Sequence, residues 1–362
     1  MEIFHHLHDH PEISWKEEVT TNYLRSLFQD KGCNIIEFED MTGLVVEIGS
    51  GKPVVAIRAD IDALWQEVNG KFQANHSCGH DAHMTIAIGT LFTLLEKKET
   101  LNGTVRVIFQ PAEETGEGAL ALTEKGIIDD VDFLYGMHLR PKEELPFGKF
   151  APAIQHGAAA FMRGEIKGED AHGARPHLTA NAIEIGAAFI QHLNQIKVNP
   201  AISHSVKMTQ LQAGGKSINI IPGRATFALD IRAQTNEVME ELLSKIEEIR
   251  QLLVNYYKVE IEIEKLAQVA AAILNEQAIH LMKKANVQTV GEEHLAPVIV
   301  TPGGSDFTFY TLKRPQVKAT MLAIGCDLTP GLHHPQMTFN YEAIPTTVEV
   351  LANVVLETMR KG

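Results

Sequence analysis

Hydrophobic positions in this chain follow two rhythms. Over residues 1–29, Ile3, Phe4 and Leu7 and then Val19, Tyr23, Leu24, Leu27 and Phe28 recur at helical spacing around a break at Pro11, and Gly32 closes the pattern. Short apolar runs at 54–57, 105–109 and 133–137 read as strands, and residues 82–98 and 119–125 between them read as helices. Strands alternating with helices predict crossover connections and an α/β fold with a mostly parallel sheet flanked by helices.

The rhythm changes beyond residue 158. Residues 161–167, 205–211, 225–232 and 259–264 read as strands, with helical patterns at 180–196 and 236–257, which describes a self-contained α+β unit. Alternation then resumes with a helix at 276–284, strands at 297–300 and 319–325, and an amphipathic helix at 346–360. The expected organisation is one domain of residues 1–157 and 268–362, interrupted by a smaller domain at 158–267.

Composition narrows the function classes. At 362 residues and 44% hydrophobic content the chain can give each of two domains a substantial interior. No apolar run approaches the roughly 18 residues of a membrane helix, and no basic, apolar leader follows Met1, so a cytoplasmic protein without a membrane partner is expected. A net charge of -14 disfavours a nucleic-acid partner, whose phosphates need Lys and Arg. Cys33, Cys78 and Cys326 are odd in number and far apart, which argues against a disulfide framework and leaves single thiols for metal or burial.

Polar residues gather where the predicted strands end, which is where open α/β sheets place functional groups. Arg58-Ala59-Asp60-Ile61-Asp62 follows the first run, Gln110-Pro111-Ala112-Glu113-Glu114 the second, and His138 the third. Asn75 to Met84 holds Cys78, His76, His80, His83 and Asp81 just before a helix, and His333-His334 lies beyond the strand at 319–325. Each has a bland reading: His138 as a hydrogen-bonded structural histidine, Glu113-Glu114 as an exposed acidic turn, Cys78 as a small buried hydrophobe. A thiol nucleophile formed by Cys78 with His80 or His83 is a further alternative, but it leaves the Glu pair and the remote histidines unemployed. The joint pattern favours a catalytic metal site, since thiolate, imidazole and carboxylate are the ordinary ligands of a zinc-like ion. Gly79 lets the side chains of Cys78 and His80 bend towards one centre. Of the adjacent Glu113 and Glu114, one can bind metal while the other serves as general base, and Asp62 can orient a ligand histidine. Such a donor set has room for two ions sharing a water.

These segments, taken in order, resemble a known family. His8-Asp9-His10-Pro11-Glu12-Ile13, Ile57 to Leu64, His76 to His83, Phe109 to Glu114, Gly136-Met137-His138, Ala171 to His177, Asn219-Ile220-Ile221-Pro222 and Leu332 to Pro335 look like the ordered signature of the metal-dependent amidohydrolases. That family includes hippurate hydrolase, auxin-conjugate hydrolase, N-acyl-amino-acid amidohydrolase and N-acetyl-diaminopimelate deacetylase, and the likeness spans nearly the whole chain. The resemblance implies that Cys78, His80, Glu114, His138 and His333 bind two divalent metals (Zn, Mn, Co or Ni), with Glu113 as general base and Asp62 as a supporting acid. It also implies that the inserted domain is a lid that often mediates homodimerisation. Within that lid it assigns His172 to the scissile carbonyl oxygen and Asn219 and Arg232 to substrate binding.

Two positions depart from the family pattern. Trp65 stands where proline is usual, so the loop beyond Asp62 is expected to take another path and narrow the pocket. Ser305 replaces the usual glutamate before Asp306-Phe307. The implied activity is hydrolysis of a small N-acyl amino acid. The rivals are a dipeptidase or carboxypeptidase with the same metals, and a silent metal-dependent binding protein.

Overall fold

A computed structural model describes residues 1–360, which separate into two compact units. The first comprises residues 1–155, 273–300 and 305–360; the second comprises residues 156–272 and 301–304.

The first unit is built on a seven-stranded sheet. From edge to edge its strands are Asn34–Glu37, Leu44–Ser50, Gly103–Gln110, Val54–Asp60, Phe133–Pro141, Lys318–Leu328 and Phe150–Ala151. Gly103–Gln110 through Lys318–Leu328 run parallel, and the flanking pairs are antiparallel, so the sheet is mixed with a parallel centre. The Val54–Asp60 strand is buried at every position, which is why it reads as an unbroken apolar run. Helices Glu2–Asp9, Glu18–Phe28, His80–Leu95, Glu276–Val290 and Ala343–Met359 contribute to the same core.

Helix His80–Leu95 is apolar on nearly all sides and packs against both the sheet and Ala343–Met359. Where it meets Ala343–Met359, a Cβ on Gly89 would lie 2.7 Å from Val348 Cγ2. The break expected at Pro11 is wider than a kink. Residues between Glu2–Asp9 and Glu18–Phe28 leave the helix because Ile13 bridges Ala63 and Ala63 N–H donates to Glu12 O (2.7 Å). A hairpin, Leu64–Val68 with Lys71–Asn75, joins Asp62 to Cys78 through a turn with Asn69 and Gly70 at positive φ.

The second unit is a four-stranded antiparallel sheet in the order His204–Ala213, Ala225–Ala233, Ala158–Lys167, Glu260–Val269. Burial alternates along Ala225–Ala233, so one face is covered and the other is not. Helices Ala182–Leu193 and Asn236–Tyr257 supply the cover, with Phe189 set edge-on to Phe227 at 5.2 Å. Asn181 and Thr235 cap their first turns by accepting from Ile183 N–H and Val238 N–H. Among the described residues of the whole chain, no helix is long and apolar enough to cross a membrane.

Candidate metal centre

The parallel strands deliver their terminal residues to one place. Asp60 ends Val54–Asp60, Glu113 and Glu114 follow Gly103–Gln110, His138 lies on Phe133–Pro141, and His80 opens its helix. Gly79 precedes that helix at φ 85, and a Cβ there would lie 2.8 Å from Leu139 Cδ1. This left-handed, sterically closed position turns the chain so that Cys78 and His80 share a centre.

Backbone carbonyls fix the two imidazoles. His80 Nδ1 lies 2.8 Å from Asp62 O and 3.2 Å from Asp62 Oδ1, and His138 Nδ1 lies 2.7 Å from Leu139 O. Each Nδ1 therefore carries the proton, and each Nε2 presents a lone pair. Cys78 Sγ is 3.6 Å from His138 Nε2. Glu114 Oε1 is 3.8 Å from His80 Nε2 and 3.6 Å from His333 Nε2. Three overlapping triads, Cys78/His80/His138, Cys78/Glu114/His333 and His80/Glu113/Glu114, keep their donor atoms within 4.8 Å of one another. His333 is the exposed member, held on its loop by donation of its N–H to Ser77 O (2.7 Å).

Two of the donor atoms lack partners of their own. His80 Nε2 and Glu114 Oε1 are buried without a hydrogen bond, an unfavourable state that a bound cation relieves. Charge points the same way. Burial and the neighbouring Glu113 push the Glu114 carboxyl up to about 8, and burial raises Glu113 as well. Burial and Glu114 push the Cys78 thiol up, while burial and His83 push His138 down. Burial is the main cause of the raised acids, with Glu113 adding to it at Glu114, and a divalent ion among these donors favours their charged forms instead. The residues therefore fit divalent metal, with triads enough for two neighbouring ions.

A second layer beneath the donors is closed. Asp60 pairs with Arg58, and its other oxygen lies 2.7 Å from His83 Nδ1. His83 Nε2 accepts from Leu139 N–H (3.1 Å), so both its nitrogens are used and it orients Asp60 rather than offering a lone pair. Arg58 also donates to Asp306 (2.6 Å) and Gln110 (2.8 Å). Asp306 Oδ2 in turn accepts from Gln110 Nε2 and Ala119 N–H.

Supports for the 110–114 turn come from further away. Ala112 sits at φ 53, and its N–H donates to the buried Glu17 (2.9 Å). Asp62 Oδ2 accepts from Ser14 Oγ (2.7 Å) and Glu114 N–H (3.0 Å). Arg58, Glu17, Ser14 and Asp306 carry no role in the sequence reading, because only the tertiary fold brings them to this turn. Trp65 lies on the hairpin and is 60% exposed.

His172, Asn219 and Arg232 belong to the second unit. His172 and Asn219 are exposed at the small ladder of Ala171–His172 with Ile220–Ile221, where Asn219 O accepts from Gly173 N–H (2.7 Å). His172 Nδ1 accepts from Ala174 N–H (3.0 Å). Arg232 forks to Asp230 (2.6 and 3.1 Å) and lies over the Phe161 ring at 4.9 Å.

The chain is similar to known proteins. N-acetylcysteine deacetylase of Bacillus subtilis is 31% identical, over 98% of this chain and 96% of its own. IAA-amino acid hydrolase ILR1-like 4 of Arabidopsis thaliana is 31% identical over 84% of this chain and 72% of its own. The crystal structure of the Bacillus subtilis YXEP protein, described as a dinuclear metal binding peptidase from the M20 family, superposes with a TM-score of 0.84 at 26% identity, covering 99% of this chain and 97% of that one. Residues 56–357, which carry every proposed donor, match the model of peptidase family M20/M25/M40, and the chain belongs to that family.

Proposed function

We propose that the protein hydrolyses the amide bond of N-acyl amino acids with two divalent metals held by Cys78, His80, Glu114, His138 and His333. The observation that carries this reading is the pair of buried, unpartnered donor atoms, His80 Nε2 and Glu114 Oε1, beside a second carboxylate, Glu113. The names of the deacetylase and amino-acid hydrolase relatives support the substrate class, and the YXEP description supports two ions.

When bound, the ions would supply Lewis acidity that makes a water more acidic and polarises a carbonyl. Glu113 removes a proton from the attacking water and returns it to the leaving nitrogen as the C–N bond breaks, giving a carboxylic acid and a free amino acid. Asp62 keeps His80 in the tautomer that binds metal, through the 2.8 Å contact at its carbonyl. On the motif resemblance, His172 takes the scissile carbonyl oxygen, and Asn219 and Arg232 take the amino-acid part of the substrate. A guanidinium fork suits a carboxylate. Among zinc, manganese, cobalt and nickel, the Cys78 thiolate favours the softer ions. The outer edge of His204–Ala213 pairs with no strand among the described residues, and it is where we place a homodimer contact, checked by sedimentation.

Metal analysis of the purified protein, together with a panel of N-acetyl and N-benzoyl amino acids and dipeptides, tests the reading. Two equivalents of metal and turnover of the acyl amino acids are expected. Turnover of dipeptides alone replaces it with a peptidase, and a fully metallated protein inert to the whole panel replaces it with a binding protein.

A further inference from the structure

Ser305 stands where the resembled family carries a glutamate, and the structure gives it a specific partner. Its Oγ donates to Glu113 Oε1 at 2.9 Å, and the residue is 4% exposed. The serine is itself immobilised. Its carbonyl accepts from Thr308 N–H (3.3 Å) and Thr308 Oγ1 (2.9 Å), and the next residue, Asp306, is bound to Arg58, Gln110 and Ala119. With the backbone held there and Phe307 N–H donating to Ser305 Oγ at 3.4 Å, the hydroxyl is a preorganised donor.

Glu113 needs one. Its carboxylate shares a donor cluster with His80 and Glu114, and Arg58 and His80 attract it while Asp60 and Asp62 repel it. These opposed pulls do not select one orientation, and a donor on Oε1 holds the group in place and leaves Oε2 for proton transfer. A second glutamate at position 305 would bond to Glu113 only by sharing a proton. Serine donates without adding charge.

We propose that Ser305 is a positioning residue, acting through Glu113 by fixing the orientation of its carboxylate. The inference rests on the reading of Glu113 as general base.

The test compares Ser305→Ala, Ser305→Thr and the double variant Glu113→Gln/Ser305→Ala. Losing a hydrogen bond to a charged group predicts a kcat lowered about tenfold in Ser305→Ala, with KM and metal content within about twofold of the parent. Ser305→Thr, which keeps the hydroxyl, recovers kcat to within about threefold of the parent. In the Glu113→Gln background, where no proton transfer depends on orientation, Ser305→Ala adds no further loss. A purely structural role would instead lower the unfolding temperature and the metal content in both backgrounds. Crystal structures give a readout independent of turnover: Glu113 ordered in one conformer in the parent and rotated or split in Ser305→Ala. An unchanged kcat together with an unmoved carboxylate overturns the inference while leaving the proposed function standing. If the parent hydrolyses nothing in the panel, the function falls, and the conformer of Glu113 alone decides whether Ser305 positions it.

Discussion

Two layers of similar residues lie at the ends of the parallel strands, and they differ in one respect. The lower layer, Arg58, Asp60, His83, Gln110 and Asp306, satisfies its own hydrogen bonds. The upper layer, Cys78, His80, Glu114 and His138, contains lone pairs that nothing in the chain meets. Asp60, His80 and His83 also cluster closely enough to suggest a metal site, yet the ring nitrogens of His83 and the oxygens of Asp60 are already occupied. Residue type does not separate a scaffold from a binding site here; unfilled valence does. The closed layer should govern stability, and the open one should govern metal and turnover.

The sharpest way to break that division is Glu113→Gln, for which we expect turnover to fall about a thousandfold with metal content kept. Parent-like kinetics would remove Glu113 from the chemistry. Next in size is Arg58→Met, which leaves Asp60 and Asp306 buried without their cation and is expected to cost about 3–5 kcal/mol in urea unfolding. A small loss there would mean that the closed layer is not what holds the strand ends together.

A third test uses pH on the metal-free protein. Glu114 has an ordinary value of 4.5 and is pushed up to about 8 in the fold, so between these values the native state holds a proton that the unfolded chain has released. Stability of the chelated protein should therefore fall as pH rises from 4.5 to 8, and saturating metal should remove the Glu114 contribution to that slope, because the ion binds the carboxylate. Thermal scans at several pH values check it. The smallest effect is expected from Asn75→Ala. Asn75 Nδ2 donates to Gln66 Oε1 (2.7 Å) and Pro335 O (3.1 Å), tying the hairpin to the His333 loop. Its loss should weaken metal binding about threefold by titration calorimetry.

The sequence made the central buried strands plain because strands covered on both faces are continuous apolar runs, as at 54–57 and 133–137, but the run at Leu44–Ser50 went unread. It hid Asn34–Glu37 and the Leu64–Val68/Lys71–Asn75 hairpin, whose positions are mostly intermediate or exposed. The Asn69-Gly70 pair was the available signal for that turn. The candidate donors stood out through their motifs at strand ends. Arg58 with Asp306, and Glu17 with Ala112, could not be read the same way, because each pairing joins segments far apart in the chain and depends on burial that no local pattern encodes. Ser305 looked like a missing acid until its hydroxyl was seen against Glu113.

The tight seam at Gly89 reaches beyond packing. This residue lies nine positions along the helix from His80, about 14 Å at the usual rise, with no room for even a methyl group beside Val348. A rigid rod wedged partway along its length transmits displacement to its tip, so the hydrophobic interior acts as the gauge that sets where the imidazole stands. Engineering aimed at sturdier packing along this rod would thus retune the chemistry from a distance, without touching any residue that meets the substrate.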